Sequence, residues 1–395
     1  MAAFRERRNV FILAVCQMLS GSGRTLIAAS SPLVALGITP DQALATLPIT
    51  FLVLGTAFTT FPASMLMRRI GRRWGFVVGG LVGALGGVFA VGGVLLANFW
   101  LFAGGNGLFG AFLAFAQLYR FAATDVAPDD FKPKAISLVL VGGVAGAFVG
   151  PELAKAGIDL FASSRFLGSY LFLIVVTLLS SLVVLAVDIP KLTPTEERDP
   201  GRPMAEIMRQ PAFITAVVVA TIAQAVMNLL MTATPLAMRH ANHLFADIAL
   251  VIEWHSFAMF APGFITGTLI KRFGNLPIMF IGQIVQLVAV GTALSGQGVE
   301  FFWLSLFLLG LGWNFSFVSA STLLTSVHTP SERAKVRGVN NFIIFGIVAF
   351  GSLMSGALHH FLGWQWVNLV TLPLIFIAVV TVIWFVYAGR SEKSN

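Results

Sequence analysis

Charge is scarce in this sequence. Asp, Glu, Lys and Arg make up only 11% of 395 residues, against roughly 25% in an ordinary soluble domain. Cysteine is all but missing: Cys16 stands alone and can form no internal bridge, which excludes a disulfide framework and leaves the redox compartment unreadable. There is no Walker loop, no cysteine cluster and no pair of carboxylates in a water-accessible domain. ATP hydrolysis and soluble enzyme chemistry therefore find no constellation to run on, and no cofactor or metal is implied. What fills the chain instead is apolar: 57% hydrophobic residues, 36 Phe and 39 Gly, with a mean hydropathy of +0.87. A soluble globule, a coiled coil and a disordered chain are all excluded.

A helix that crosses a bilayer needs about 20 apolar residues. Twelve such runs are present, at 9–35, 44–67, 74–97, 100–122, 135–157, 167–189, 211–237, 246–270, 277–296, 300–326, 338–360 and 364–388. They are continuous rather than alternating, and lipid offers a backbone no hydrogen bonds, so each is expected to be an α-helix and not a barrel strand. Arg5, Arg7 and Arg8 precede the first run, but it is longer than the roughly 7–15 residues of a signal-peptide core. It also contains Arg24, so it reads as an uncleaved span. With the N-terminus inside, 21 of the 25 Lys and Arg fall on the cytoplasmic side, three (Lys155, Arg165, Arg239) fall outside, and Arg24 lies within a span. That asymmetry predicts cytoplasmic termini. It also explains the pI of about 10.1 as a mark of topology and argues against nucleic acid as a partner. Trp100, Trp254, Trp303, Trp364 and Trp366 near the outer ends, and Trp74, Trp384 and Tyr387 near the inner ends, read as interface anchors.

The one long polar stretch runs from Lys191 to Gln210. It divides the chain into 1–189, a 190–210 cytoplasmic linker, and 211–395, with six spans on each side. The two halves repeat. Pro32, placed at the end of span 1, and Pro235, at the end of span 7, are 203 residues apart. So are Gly71 and Gly274 after spans 2 and 8, and Gly107 and Gly310 in spans 4 and 10. Duplicated units of this kind place a polar cavity between the halves near the bilayer midplane.

The loop after span 2, Ser64-Met-Leu-Met-Arg68-Arg69-Ile-Gly71-Arg72-Arg73, resembles the basic glycine signature of the major facilitator superfamily, and Gly267-Thr-Leu-Ile-Lys271-Arg272-Phe-Gly274 repeats it. Twelve spans in two halves are similar to that family over the whole chain. The family's usual acid is replaced by Arg68 and Lys271; Asp125, Asp129 or Asp130 would have to supply counter-charge. The resemblance implies an all-α fold of two pseudo-symmetric six-helix bundles that carries a small solute by alternating access. Spans 1, 4, 7 and 10 would line the cavity, with Arg68, Arg69, Arg72, Arg73, Lys271 and Arg272 as a cytoplasmic gate. The stretch Gly146-Ala-Phe-Val-Gly150-Pro151 resembles a motif commoner in exporters. The stretches Gln117–Asp125 and Trp254–Pro262 are similar to a bacterial branch that includes riboflavin-uptake transporters.

Ionisable residues inside spans are costly and mark function by default. Arg24 lies roughly 15 Å deep, after a Ser20-Gly21-Ser22-Gly23 stretch expected to loosen the helix and expose amides. It is a candidate site for an anion or carbonyl. Glu253 is a candidate counter-ion or proton carrier, which keeps protons open as the coupling ion; a structural Arg24–Glu253 or Arg24–Glu152 pair is the alternative. Gln224 and Asn228 share one face of span 7 at i, i+4. With Trp313 and Asn314 in span 10, and Asn106 in span 4, they would suit a planar polar solute. Asn340-Asn341 read as a helix cap, and His359-His360 as a loop pair short of metal ligands. The Gly75, Gly79, Gly83, Gly87 series reads as a close-packing face. The expectation is a multi-pass transporter of the bacterial cytoplasmic membrane whose partners are the lipid bilayer and a small-molecule substrate, with riboflavin uptake, export of toxic compounds, and a non-transporting receptor or scaffold as the open readings.

Overall fold

With almost no side-chain charge to place and no water to satisfy a backbone, the chain closes its hydrogen bonds within helices. The computed structural model describes residues 2–39, 41–127, 132–161, 164–189, 201–329 and 332–391. Asp129, Asp130 and the start of the linker lie outside them. In order the helices are α1 (Ala2–Ile38), α2 (Leu47–Ile70), α3 (Arg72–Leu95), α4 (Phe99–Ala116), α5 (Tyr119–Val126), α6 (Lys132–Gly157), α7 (Leu167–Val184), α8 (Met204–Met208), α9 (Pro211–His240), α10 (Phe245–Phe260), α11 (Gly263–Phe273), α12 (Asn275–Ser295), α13 (Val299–Leu324), α14 (Arg333–Leu369) and α15 (Thr371–Ser391).

Among the described residues, eleven helical runs are long and apolar enough to cross a membrane. The last of them, Lys335–Tyr387, has 53 residues; at 1.5 Å per residue a straight rod of that length would measure about 80 Å, more than two hydrocarbon thicknesses. It is broken at Gly363, whose φ of 80° and ψ of 178° no helix contains.

Several local expectations need correction. Pro32 and Pro235 do not end their helices; α1 and α9 run on to Ile38 and His240. A proline removes one helical hydrogen bond, whereas a terminus inside lipid would free a whole turn of carbonyls. The Ser20–Gly23 stretch stays helical, with Ser20 and Ser22 hydroxyls donating to the Gln17 and Met18 carbonyls at 3.0 and 2.8 Å. Its glycines serve packing instead: a Cβ on Gly23 would lie 2.5 Å from the Phe109 ring. Span 8 is discontinuous, splitting into α10 and α11 at Ala261-Pro262. Asn340 and Asn341 sit two turns inside α14, not at its cap, and His359 is helical, its ring 6.0 Å from that of His240. Trp364 is buried and donates to the Ala293 carbonyl at 3.3 Å, so it packs internally instead of anchoring at an interface.

The pairing of helices repeats as the sequence does. Helix α1 packs on α6 and α7, α3 on α4 and α7, and α2 on α4; α9 packs on α14 and α15, α12 on α13 and α15, and α10 on α13. Gly71 and Gly274 adopt the same turn, φ 87° and 88°, a conformation that favours glycine and lets one helix follow another directly. Small residues permit the closest contacts. Cβ atoms on Gly142, Gly146 and Gly150 of α6 would lie 2.1, 2.6 and 2.1 Å from the Ala14, Met18 and Ser22 carbonyl oxygens of α1. The α3 series is likewise a packing face, with Gly79 and Gly83 against Phe115 and Phe112 of α4.

The two groups of helices meet mainly away from the chain termini. One apolar cluster joins Leu26, Ile27 and Phe166 to Phe245, Ala249 and Ile252. The cluster at the end near the termini, around Val10, Phe76, Tyr119 and Val184, holds no residue beyond Ile189.

Candidate functional site

Helix α9 carries one stripe that is not fully buried. From Val219 to Met238 every residue is buried except Gln224, Asn228 and Met231, one stripe at i, i+4, i+7. Opposite stands α13, whose Trp313 donates its indole N–H to the Gln224 side-chain oxygen at 2.7 Å. The Trp313 ring is stacked on Phe317, centroids 5.0 Å apart and planes at 14°, with Phe260 of α10 edge-on at 6.5 Å. The Asn228 amide nitrogen is buried and finds no acceptor. An aromatic plate, an oriented amide and an amide in need of a partner can recognise a flat heterocycle bearing carbonyls.

Arg24 belongs to the other group, on α1, which packs against α9 and α10. It is only partly buried, and among the described residues no hydrogen bond or ion pair reaches its guanidinium. Neither expected pair, with Glu253 or with Glu152, forms. His255 of α10 is fully buried, holds the Leu306 carbonyl through Nδ1 at 2.7 Å and leaves Nε2 without a partner among the described residues. Glu253 turns to Lys155 of α6 instead, Nζ to Oε1 3.4 Å, and Lys155 also pairs with Glu152. This ion pair ties one group to the other at the end remote from the termini.

Two of the amides singled out are fully engaged. Asn314 donates to the Met259 carbonyl at 2.7 Å and accepts from Thr266 at 2.6 Å, so it fastens the break between α10 and α11 where Pro262 has released backbone groups. Asn106 accepts from Ser31 at 3.1 Å and donates to the Phe102 carbonyl at 2.8 Å.

A family model of the Major Facilitator Superfamily matches residues 13–241 and again 216–395. The chain belongs to that superfamily. It is a solute transporter, not an enzyme. Among the relatives of this facilitator is a riboflavin transporter of Brucella anthropi, 41% identical over 383 residues that cover 96% of each chain. An uncharacterised facilitator-type transporter of Bacillus subtilis is 28% identical over 89% of this chain and 85% of its own. Among solved structures, a bacterial homologue of the human lysosomal transporter Spinster, inward-facing and occupied, superposes with a TM-score of 0.69 at 16% identity, covering 96% of both chains. The transporter FucP, in its outward conformation, gives 0.62 at 15% identity, over 94% of this chain and 98% of its own. At such identities these two share the fold.

The basic loops of the facilitator are placed at the end near the termini. Arg72 pairs with Asp125 of α5 at 2.6 Å, so the counter-charge comes from within the same half. Arg68, Arg69, Arg73 and Lys271 are exposed, as is Arg272, which lies 5.2 Å from the Phe273 ring. Sequence reasoning missed Phe317, which its i+4 spacing from Trp313 could have signalled. It also missed Lys155 as the partner of Glu253, for which a contact between distant spans leaves no local signal. Trp254 packs among Phe148, Phe257, Trp303 and Phe307, the first of these from the opposite half. Its place is therefore between the halves and not in an interfacial belt.

Proposed function

We propose that this facilitator carries riboflavin into the cell across the bacterial cytoplasmic membrane by alternating access. The observation that carries the reading is the wall formed by Gln224, Asn228, Trp313 and Phe317, with Arg24, unpaired among the described residues, on the neighbouring α1 of the other half. A flavin ring is flat, apolar across its faces and rimmed with carbonyls and one N–H. Stacking on Trp313, a carbonyl accepting from Arg24 or Asn228, and exclusion of water by the surrounding helices would bind it without any formal negative charge. The 41% identity to a riboflavin transporter over nearly the whole chain supports the same solute.

In this reading the molecule has twelve spans, the last two meeting at Gly363, and both termini are cytoplasmic, as the distribution of Lys and Arg requires. Units 1–189 and 211–395 rock about the central site, joined by the 190–210 linker. The far end is then the outer gate, closed by Lys155–Glu253, by Phe148 against Trp254, and by Thr46, which accepts from the Gly356 N–H at 3.1 Å and donates to the Ser352 carbonyl at 2.9 Å. Arg68, Arg69, Arg72, Arg73, Lys271 and Arg272 form the cytoplasmic latch that engages when the inner end closes. Glu253 is the carboxylate on which proton coupling would act, because protonation releases Lys155. Export has no such support: the glycines of the Gly146–Pro151 stretch are already used by the packing of α1.

The test is uptake of labelled riboflavin into liposomes holding the purified chain, with and without an imposed pH gradient. Saturable uptake that unlabelled riboflavin competes away is expected. No flux under either condition, beside measurable drug efflux, would replace this reading with export.

A further inference from the structure

A second site lies at the far end. There a cavity of about 420 Å³ opens between the two halves, lined by Leu33, Phe166, Phe245, Arg165, Arg239 and His243 among others. This face of the molecule is nearly devoid of Lys and Arg. It holds only three in the topology the sequence predicts, and two of them, Arg165 and Arg239, line this one cavity from opposite halves. Both are exposed, and neither has a carboxylate partner among the described residues. None of the lining residues is acidic. Asp247 stands nearby, but its carboxylate caps the Leu244 N–H at 3.2 Å.

The backbone is strained at the same place. Phe166 sits at φ 67° and Asn242, beside His243, at φ 64°. For a bulky aromatic such a conformation is a true outlier, and strain of this kind persists where surrounding contacts enforce it, often at ligand sites. It places the Phe166 ring 5.1 Å from Phe245 of the other half and 5.5 Å from the Arg165 guanidinium.

We propose that this cavity binds an organic phosphate, its anionic head held between Arg165 and Arg239 and its apolar body laid against Phe166, Phe245 and the end of α1. Two guanidiniums are suited to the oxygens of a phosphate, and the volume admits a ring system or the start of a lipid chain as well as the head. Because the two arginines belong to different halves, the ligand holds the far end closed. The site does not depend on which solute the central wall carries. The same chemistry is offered by a soluble aryl phosphate and by a phospholipid headgroup, and the test separates them.

Binding of 1-naphthyl phosphate to the purified full chain would be measured by calorimetry, before and after removal of lipid, with 1-naphthol as the control. Two spin labels, at Leu96 and Ser295, both exposed at the far end in different halves, report its closure. Binding is expected to weaken about tenfold or more in Arg165→Gln and in Arg239→Gln taken singly. Arg→Lys variants should retain part of it, and the label distance should narrow on binding. Binding before lipid removal identifies a soluble ligand. Binding only afterwards, reversed by phosphatidylglycerol, identifies the lipid. Equal binding of 1-naphthol, undiminished binding in a monodisperse Arg165→Gln/Arg239→Gln double variant, or no binding with or without lipid overturns the proposal.

Discussion

Trp313 does two things at once: its ring lies flat on Phe317, and its N–H fixes the Gln224 amide. These roles separate by substitution. Trp313→Ala removes the plate, and since stacking a heterocycle on an aromatic contributes roughly 1–3 kcal/mol, the riboflavin concentration giving half-maximal uptake should rise about tenfold or more. Trp313→Phe keeps a plate and loses only one hydrogen bond, so the rise should be only about three- to tenfold. Uptake curves of the two variants check the order, and an inverted order would show that the hydrogen bond matters more than the ring. The residues of this wall were legible because an amide or an indole inside a hydrophobic run has few reasons to be there. Asn314 and Asn106 met the same criterion and are bound up in packing, because sequence cannot tell an amide that bonds a neighbouring helix from one that is open.

Helices here are held by how closely their backbones approach. A Cβ on Gly142 would lie 2.1 Å from a backbone oxygen of α1, while one on Gly346 of α14 would meet nothing within 4 Å. Gly142→Ala should therefore cost about 2 kcal/mol through overpacking, whereas Gly346→Ala should stay within about 1 kcal/mol and on the stabilising side. Thermal melts in detergent decide between them. At the near end, Arg202 of the linker grips Glu332 through its backbone N–H at 2.7 Å and two guanidinium nitrogens at 2.9 Å. That grip holds the Glu332 carboxyl well below the usual carboxylate range. A depressed folded-state pKa adds stability above the unfolded value, near pH 4.3, and loses it as pH falls further. The melting difference between wild type and Glu332→Gln should be constant from pH 8 to about 5 and shrink below about pH 4. No feature of the sequence joined Arg202 to Glu332, 130 residues apart, because spacing within a helix is periodic and contact between segments is not.

Across the whole molecule the halves touch mainly at the end away from the termini. Thr46 and Gly356 meet there across the seam, a Cβ on Gly356 lying 2.5 Å from the Thr46 hydroxyl. The Gly356 N–H reaches the Thr46 hydroxyl at 3.1 Å, so the two positions are adjacent and a cross-link between them tests the seam. In a Cys16→Ser background, Thr46→Cys with Gly356→Cys should cross-link under oxidation, abolish uptake and regain it on reduction; full uptake while cross-linked would show that this seam need not open. The all-helical, multi-pass character was readable in advance because lipid leaves the backbone so few choices, and the length of each apolar run follows from that constraint. The seam was not, since it depends on which of two conformations the halves adopt.

Arg24 has one more consequence. A positive charge inside a span, with no ion-pair partner among the described residues, would experience the membrane potential, about 2.3 kcal/mol for a full charge across 100 mV. When the halves reorient, the voltage drop shifts from one side of that guanidinium to the other. On the proposed reading, the carrier of an uncharged solute thus acquires a voltage-sensitive step, and an interior-negative potential would bias the direction in which the unloaded protein turns.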